Sequence, residues 1–282
     1  MKIAIQSKGR LSEDSLNLLK KSGFSFQKTE RSLTAKIENF PLEILFLRAG
    51  DIPEIVADGI ADIGICGQNT VIESGEKINQ ILELGFGKCT LCLASPEYQS
   101  YDESIWKKDM RIATSYTKIL QNYLDINNKK AHLFHLAGSV EIAPKLEISD
   151  MICDLVSTGS TLKVNGLKVR ETIFESQAIL IGNKNLSDEN KTILEKILMR
   201  IQSVISAKNR KYIVMNAKKE NIDKISACIP SLESPTVTAL SDENMVSISS
   251  VIQENKFWET IDKLKENGAS GILVMPIEKI IE

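Results

Sequence analysis

The chain has 282 residues, 43% of them hydrophobic and 26% charged, with a formal net charge of −2 at pH 7. That length buries a sizeable core and admits two or three domains, and the near-neutral balance argues against a general nucleic-acid binder. The longest apolar runs fall well short of the ~18–20 residues that cross a bilayer, and five cysteines without framework spacing fit a reducing compartment. From Tyr212 to Glu282, 7 basic residues face 11 acidic ones, which leaves the rest of the chain slightly basic without a basic patch.

The opening Met1-Lys-Ile-Ala-Ile-Gln6 enters a strand at once and lacks the parts of a signal peptide, so a cytoplasmic location is expected. Strand-like and helix-like segments then alternate, which predicts α/β layers. Lys2–Gln6 reads as a strand and Ser12–Ser22 as an amphipathic helix; Ser32–Glu38 and Leu42–Arg48 read as a hairpin. Asp51–Asp58 is a short helix with Pro53 in its first turn, and Ala61–Cys66 a buried strand ending at Gly67. The apolar runs Ile78–Leu84 and Cys89–Ala94 lead to Ser95-Pro96, a crossover into a second lobe. There Arg111–Thr114 and Ala131–His135 read as strands around a helix at Thr117–Leu124. Ser139–Lys145 reads as a short helix and Met151–Val156 as a buried strand.

Val164–Phe174 and Gln177–Ile181 return the chain as strands toward the first lobe, and Asp188–Ile205 is the longest helical pattern. The tail runs strand (Lys211–Asn216), helix (Lys219–Cys228), two strands (Thr236–Leu240, Val246–Val251), helix (Lys256–Asn267) and strand (Gly271–Pro276). This is the ferredoxin-like βαββαβ order. The expected division is therefore lobe I, 1–94 plus 177–210; lobe II, 95–176; and a tail domain, 211–282. Two lobes joined by crossing strands make a cleft, where ligands tend to sit.

The strand Met151–Val156 carries Asp154 near its end, and Ser157-Thr158-Gly159-Ser160-Thr161 follows directly. Such a turn offers backbone N–H groups and up to four hydroxyls to one anion, as a phosphate requires. Asp154 can then hold the hydroxyls of a sugar attached to that phosphate, which suggests a ribose 5-phosphate. The same pattern also reads as a strand-to-helix turn with a Ser or Thr N-cap and nothing bound. Neither a Walker loop nor Gly-x-Gly-x-x-Gly is present.

Ser7-Lys8-Gly9-Arg10 follows the first strand, where ligands bind in α/β sheets. Lys8 and Arg10 can both reach one polyphosphate, or they form a solvated turn. Arg48 adds a cation at another strand end, and Asp62–Asn69 ends in small and polar residues. His132 and His135 would point to opposite faces of a strand, which disfavours shared metal ligation. Cys89 and Cys92 lie in an apolar run and read as core packing, as does Phe257-Trp258.

These segments resemble the ATP phosphoribosyltransferase family in its long, self-regulated form. The residues that carry the likeness are Lys8-Gly-Arg-Leu11, Arg48-Ala-Gly-Asp-Ile-Pro53, Gly59-Ile-Ala-Asp-Ile-Gly-Ile65, Arg111-Ile-Ala-Thr-Ser-Tyr116, Gly138-Ser-Val-Glu141-Ile-Ala-Pro144, Asp154-Leu-Val-Ser-Thr-Gly-Ser-Thr-Leu162 and Asn165-Gly-Leu167. In the tail they are Ser234-Pro-Thr236 and Gly268-Ala-Ser-Gly-Ile-Leu-Val-Met-Pro-Ile-Glu-Lys279. The resemblance implies a two-lobed, periplasmic-binding-protein-like catalytic region and a ferredoxin-like regulatory domain. It also implies a cytoplasmic enzyme of histidine biosynthesis that joins N1 of the adenine of ATP to C1 of 5-phosphoribosyl 1-diphosphate.

By that likeness Asp154 and Glu141 are catalytic, and Asp154 with Ser157, Thr158, Gly159, Ser160 and Thr161 binds the phosphoribosyl group. Lys8, Arg10, Arg48 and Tyr116 bind ATP or diphosphate, with Mg²⁺ held mainly by substrate phosphates. Leu232, Ser234, Thr236 and Ala269 fall near a histidine inhibitor, and dimers assemble into hexamers. Two departures stand out: Glu147-Ile-Ser-Asp150 replaces the family's Gly-Leu-Ala-Asp, and Pro230-Ser231 replaces Pro-Gly. The rival readings are a non-enzymatic two-lobed binding protein and a phosphoribosyltransferase for another base. Against the latter, a single Asp154, not two adjacent acids, precedes the turn.

Overall fold

The computed structural model describes residues 1–29, 32–102, 105–106, 109–157, 159–229 and 234–281. The chain divides into two compact units, residues 1–20 with 24–193 and residues 21–23 with 194–282. The first unit holds two sheets. In the first sheet, β1 (Lys2–Gln6) lies between β3 (Glu43–Leu47) and β4 (Ile63–Gly67), all three parallel. β2 (Thr34–Lys36) completes the expected hairpin antiparallel to β3. The returning strand β11 (Ala178–Gly182) runs antiparallel to β4, and β5 (Asn79–Glu83) closes the far edge.

The second sheet repeats that plan. β7 (Arg111–Thr114) lies between β8 (His132–His135) and β9 (Met151–Val156), again all parallel; β6 (Cys89–Pro96) pairs antiparallel with β9, and β10 (Leu167–Ser176) pairs antiparallel with β6 at the edge. β6, expected within lobe I, is thus hydrogen-bonded into the second sheet. Its continuous apolar run marks burial, and an apolar run alone does not specify which sheet a strand joins.

Side-chain alternation and apolar runs set the cores. Ala4, Ile52, Val56, Cys66, Ile179 and Ile181 pack around the first sheet. α2 (Ile52–Ala57), with Pro53 in its first turn as expected, supplies Ile52 and Val56 to that core, and α1 (Arg10–Lys21) buries Leu18 and Leu19. Leu91, Leu93, Ile112, Leu120, Leu124 and Met151 fill one face of the second sheet, with α4 (Thr117–Ile126) against it. Phe257 packs on the tail core as read from the sequence, but its neighbour Trp258 is 73% exposed. A helix at Phe257 can turn only one of two consecutive side chains inward.

Two local features differ from expectation. Gln68–Ser74 is a helix, α3, where the sequence reads as a polar strand end. Its β-branched Thr70, Val71 and Ile72 weaken a local helix signal, and packing forms it. Ser139–Lys145 is not a regular helix but a 3-10 turn at Val140–Ile142 followed by turns.

Glu147 adopts φ +59°, at the position where the family pattern carries glycine. That conformation costs a non-glycine residue about 1–2 kcal/mol, and the Glu147 carbonyl is fixed there by the Arg111 guanidinium at 2.9 Å. Glu147→Gly is therefore expected to raise stability by about 0.5–1 kcal/mol, once the greater unfolded-chain freedom of glycine is subtracted. A higher denaturant midpoint at constant m-value checks it.

The second unit contains a four-stranded antiparallel sheet in the order β13-β14-β12-β15, formed by Thr236–Ala239, Met245–Gln253, Arg210–Lys218 and Ser270–Pro276 respectively. With α7 (Ile222–Cys228) and α8 (Phe257–Glu266) between the strands, this is the ferredoxin-like arrangement predicted from element order. Ile213, Met215, Ala217, Val246, Ile248 and Ile252 alternate onto one buried face, against Ile225 and Leu264 of the helices. The helix α6 (Asp188–Ala207) runs from the first unit into the second. Among the described residues, no helix is long and apolar enough to cross a membrane.

Candidate active site

In each sheet of the first unit the chain reverses direction on either side of a central parallel strand, β1 or β7. The crevice beyond the carboxyl ends of such strands is where open α/β sheets bind ligands. At the first switch point Gln6 pairs with Leu47, so the Ser7–Arg10 turn and Arg48 emerge side by side. The Ser7 N–H donates to the Leu47 carbonyl at 2.8 Å, and the Gln6 amide reaches the Lys8 carbonyl at 2.7 Å. Gly9 bends the turn with φ +92°. Lys8, Arg10 and Arg48 are all exposed there. Lys28, which sequence reasoning passed over, donates its ammonium to the Ser7 carbonyl at 2.9 Å and lies 4.5 Å above the Phe46 ring.

The second switch point carries the acids. Thr114 of β7 pairs with Cys153 of β9, which brings Tyr116 and Asp154 out at neighbouring strand ends. Glu141, in the 3-10 turn after β8, is close enough that its charge acts on Asp154. Burial raises the Asp154 carboxyl above its ordinary value; the Leu155 N–H at 2.8 Å pulls it back, and Glu141 adds to the rise. Tyr116 feels burial first and then the Asp154 charge, which together push its phenol up to about 12. It is therefore neutral at pH 7, and the nearby Asn69 side chain opposes part of that rise.

The turn after β9 ends in a short helix, α5 (Ser160–Val164), whose N-cap is Gly159 at φ +73°. A glycine N-cap brings no side chain of its own to cap the first turn, and a helix start favours an anion beside it. Ser157, Ser160 and Thr161 are exposed around this point; Thr158 lies outside the described residues. Ser157 also lines a cavity of about 500 Å³ together with Lys88, Cys89, Ser176 and Gln177. Asp154, Glu141, Tyr116 and the 157–161 turn are thus brought together on the second sheet, while Lys8, Arg10 and Arg48 gather on the first.

The remaining candidates separate. Cys92 is buried in β6 as a packing group, whereas Cys89, read as core packing too, is only half-buried and lines the cavity beside Ser157, because it sits at the end of that strand. His132 and His135 are exposed on β8. In the tail, Ser234 and Thr236 stand at the β13 edge, whereas Ala269 is buried just before β15 at the opposite edge. Three strand spacings, roughly 14 Å, divide them, so one chain's sheet does not unite them around a single small ligand. Leu232 and Pro230-Ser231 lie outside the described residues.

Comparison with known proteins identifies the family of the chain. Residues 48–203, more than half the chain, match the family model HisG, ATP phosphoribosyltransferase, and residues 207–279 match the HisG C-terminal domain. An ATP phosphoribosyltransferase of Cytophaga hutchinsonii is 47% identical over 282 residues, covering 100% of this chain and 99% of the relative. One from Bacteroides thetaiotaomicron is 46% identical over 281 residues with the same coverage. Among solved structures, the ATP phosphoribosyl transferase (HisG:HisZ) complex from Thermotoga maritima aligns with a TM-score of 0.61 and 30% identity, over 72% of this chain and 98% of that one. With residues 48–203 and 207–279 matched by the two family models and a relative aligned over 100% of the chain, the chain belongs to the ATP phosphoribosyltransferase family.

Proposed function

We propose that the two strand-end clusters of the first unit divide the reaction between them. The observation that carries this reading is the grouping of Asp154, Glu141 and Tyr116 beside a glycine-capped Ser/Thr turn. The amides and hydroxyls of Ser157–Thr161 hold the 5-phosphate of 5-phosphoribosyl 1-diphosphate. Asp154 and Glu141 bind the ribose hydroxyls, and their negative charge favours the positive charge that develops on the ring as the C1–diphosphate bond breaks. Tyr116 borders the adenine of ATP, and Lys8, Arg10 and Arg48 hold the ATP phosphates or the departing diphosphate.

Adenine N1 is already a nucleophile, so holding it in line with C1 supplies much of the rate without a dedicated base. Attack from the side opposite diphosphate inverts C1 and yields N1-(5-phosphoribosyl)-ATP. Asp154 and Glu141 together offer the one or two carboxylates with which Mg²⁺ usually joins substrate phosphates. Among the described residues no group of three or more His, Cys, Asp or Glu side chains is poised for a metal, and the proposed Mg²⁺ is held mainly by substrate phosphates. Such an ion neutralises charge on the leaving diphosphate.

The tail domain is assigned to feedback inhibition by histidine, in a cytoplasmic homo-oligomer built from dimers into a hexamer. The two edges that carry Thr236 and Ala269 make either edge a separate candidate for the histidine contact. One assay tests the whole reading: the protein is mixed with ATP, 5-phosphoribosyl 1-diphosphate and Mg²⁺, and adduct formation is followed with and without histidine. Adduct that forms in its absence and falls off as histidine is added is the expected result. Well-folded protein that makes no adduct removes the catalytic assignment, and adduct formation indifferent to histidine removes the regulatory one.

A further inference from the structure

The start of α4 is capped from a different sheet. Tyr116, its N-cap residue, makes no side-chain capping bond, and no acid occupies the first turn. Instead the carboxylate of Glu73, the penultimate residue of α3, receives the backbone N–H of Lys118 at 3.0 Å and of Ile119 at 3.1 Å, and the Thr117 hydroxyl at 3.2 Å. One carboxylate thus satisfies two of the amides that every helix leaves orphaned and sits at the positive end of the α4 dipole. The Lys118 ammonium returns the contact by donating to the Ser74 carbonyl at 2.6 Å. Gly75 ends α3 at φ +76°, and a Cβ there would stand 2.9 Å from the same ammonium.

A second contact leaves the same face of α3. Asn69 lies four residues before Glu73, hence on the same side of the helix, and its side chain lies close enough to the Tyr116 phenol to act on its titration. Asn69 is itself buried and held by Ser176, where the returning chain passes between the sheets, through bonds of 2.8 and 3.1 Å. The segment Tyr116–Ile119 is therefore held at Thr117–Ile119 by Glu73 and flanked at Tyr116 by Asn69 of the same helix.

We propose that Glu73 is a positioning residue for ATP: through the α4 N-terminus it fixes Tyr116 against the first sheet and so sets the adenine side of the cleft. This rests on the assignment of Tyr116 to the adenine. A charge-linked clamp of this kind acts on the half of the cleft that both sheets build, and leaves the Ser157–Thr161 turn, which follows β9 alone, largely untouched.

The test measures both Michaelis constants and thermal stability in Glu73→Gln, in Glu73→Gln/Thr117→Asp and in Tyr116→Ala, all in the full-length protein. Glu73→Gln is expected to raise the KM for ATP about tenfold, the scale of a lost charged cap, with the KM for 5-phosphoribosyl 1-diphosphate changed less than about twofold and with faster amide exchange at Lys118 and Ile119. Asp at position 117 supplies an acid within α4's own first turn, so the double variant should regain melting temperature and amide protection while its KM for ATP stays high. Recovery of KM together with stability would make Glu73 an ordinary structural cap and overturn the proposal. So would an unchanged KM for ATP in Glu73→Gln, or an equal rise in both constants. Tyr116→Ala separates the two possible failures. A normal KM for ATP in that variant removes the adenine assignment itself, whereas a raised one beside a normal value in Glu73→Gln removes only the clamp.

Discussion

Asp154→Asn is expected to cut turnover by about 10²- to 10³-fold, the usual scale for losing one preorganised charge at a transition state, and to raise the melting temperature at pH 7. The two effects have one origin. Asp154 is half-buried at the end of β9, and burial together with the Glu141 charge lifts its carboxyl above the ordinary value. At neutral pH the folded protein therefore keeps an ionised group where the neutral form would be better accommodated. The destabilisation is absent below the unfolded-state value near 3.8 and sets in as pH rises through the raised folded value. Asn keeps the acceptor for the Leu155 N–H and removes the charge.

The stability gain of the variant should therefore be full at pH 7 and fade as the pH approaches 4. Melting curves across that range, beside kcat at pH 7, check both halves. If Asp154→Asn and Thr161→Val each kept near-normal turnover, the phosphoribosyl assignment would collapse. A fall in activity without a gain in stability would instead mean that the carboxylate has a folded-state partner that offsets its burial.

The second large effect concerns Gly159. Its φ of +73° belongs to the left-handed region, and among the described residues a built Cβ meets only the Val156 side chain, at 3.9 Å. Space is thus available and conformation is the obstacle. A β-branched residue is a steric outlier there and costs about 1–2 kcal/mol or more. In Gly159→Val the turn is expected to relax away from the geometry that aims the first amides of α5 at the 5-phosphate. The KM for 5-phosphoribosyl 1-diphosphate should rise at least ~10-fold, while the KM for ATP stays within about twofold. Gly159→Ala should fall between Val and the parent, because the strain is shared but the second branch is absent. Equal behaviour of all three proteins in steady-state kinetics would dissociate this turn from the phosphate.

Much of the architecture was legible residue by residue. The tail's strand and helix order could be read because Ile213, Met215 and Ala217 alternate with period two. The long helix at Asp188–Ala207 shows the 3.6-residue period over five turns. The acid and the Ser/Thr turn were legible because they are contiguous: a strand, its last carboxylate and the next five residues carry the geometry with them. The departure at Glu147 was also visible as a missing glycine, although only the backbone shows the residue held at φ +59°.

Other features left no local trace. Glu73 lies 44 to 46 residues before the amides and hydroxyl it binds, and nothing around it in sequence marks it as a cap. Asn69 meets Ser176 across 107 residues. β6 is as apolar as a strand of either sheet, and its membership of the second was settled by pairing with β9 and β10. In the tail, Thr236 and Ala269 belong to one motif set in sequence, yet strand order separates them to opposite edges.

The amino-acid sequence by itself determined the element types, the βαββαβ tail, the phosphate-type turn after Asp154 and the cations at the strand ends, because backbone preference and amphipathic period act within a few residues. Tertiary structure alone decided which strands share a sheet, which carboxylate closes the α4 terminus and how Glu141, Asp154 and Tyr116 come to share one site. Those choices depend on closing loops of tens to more than a hundred residues, where the free energy is set by packing and hydrogen-bond satisfaction between segments that carry no information about one another locally.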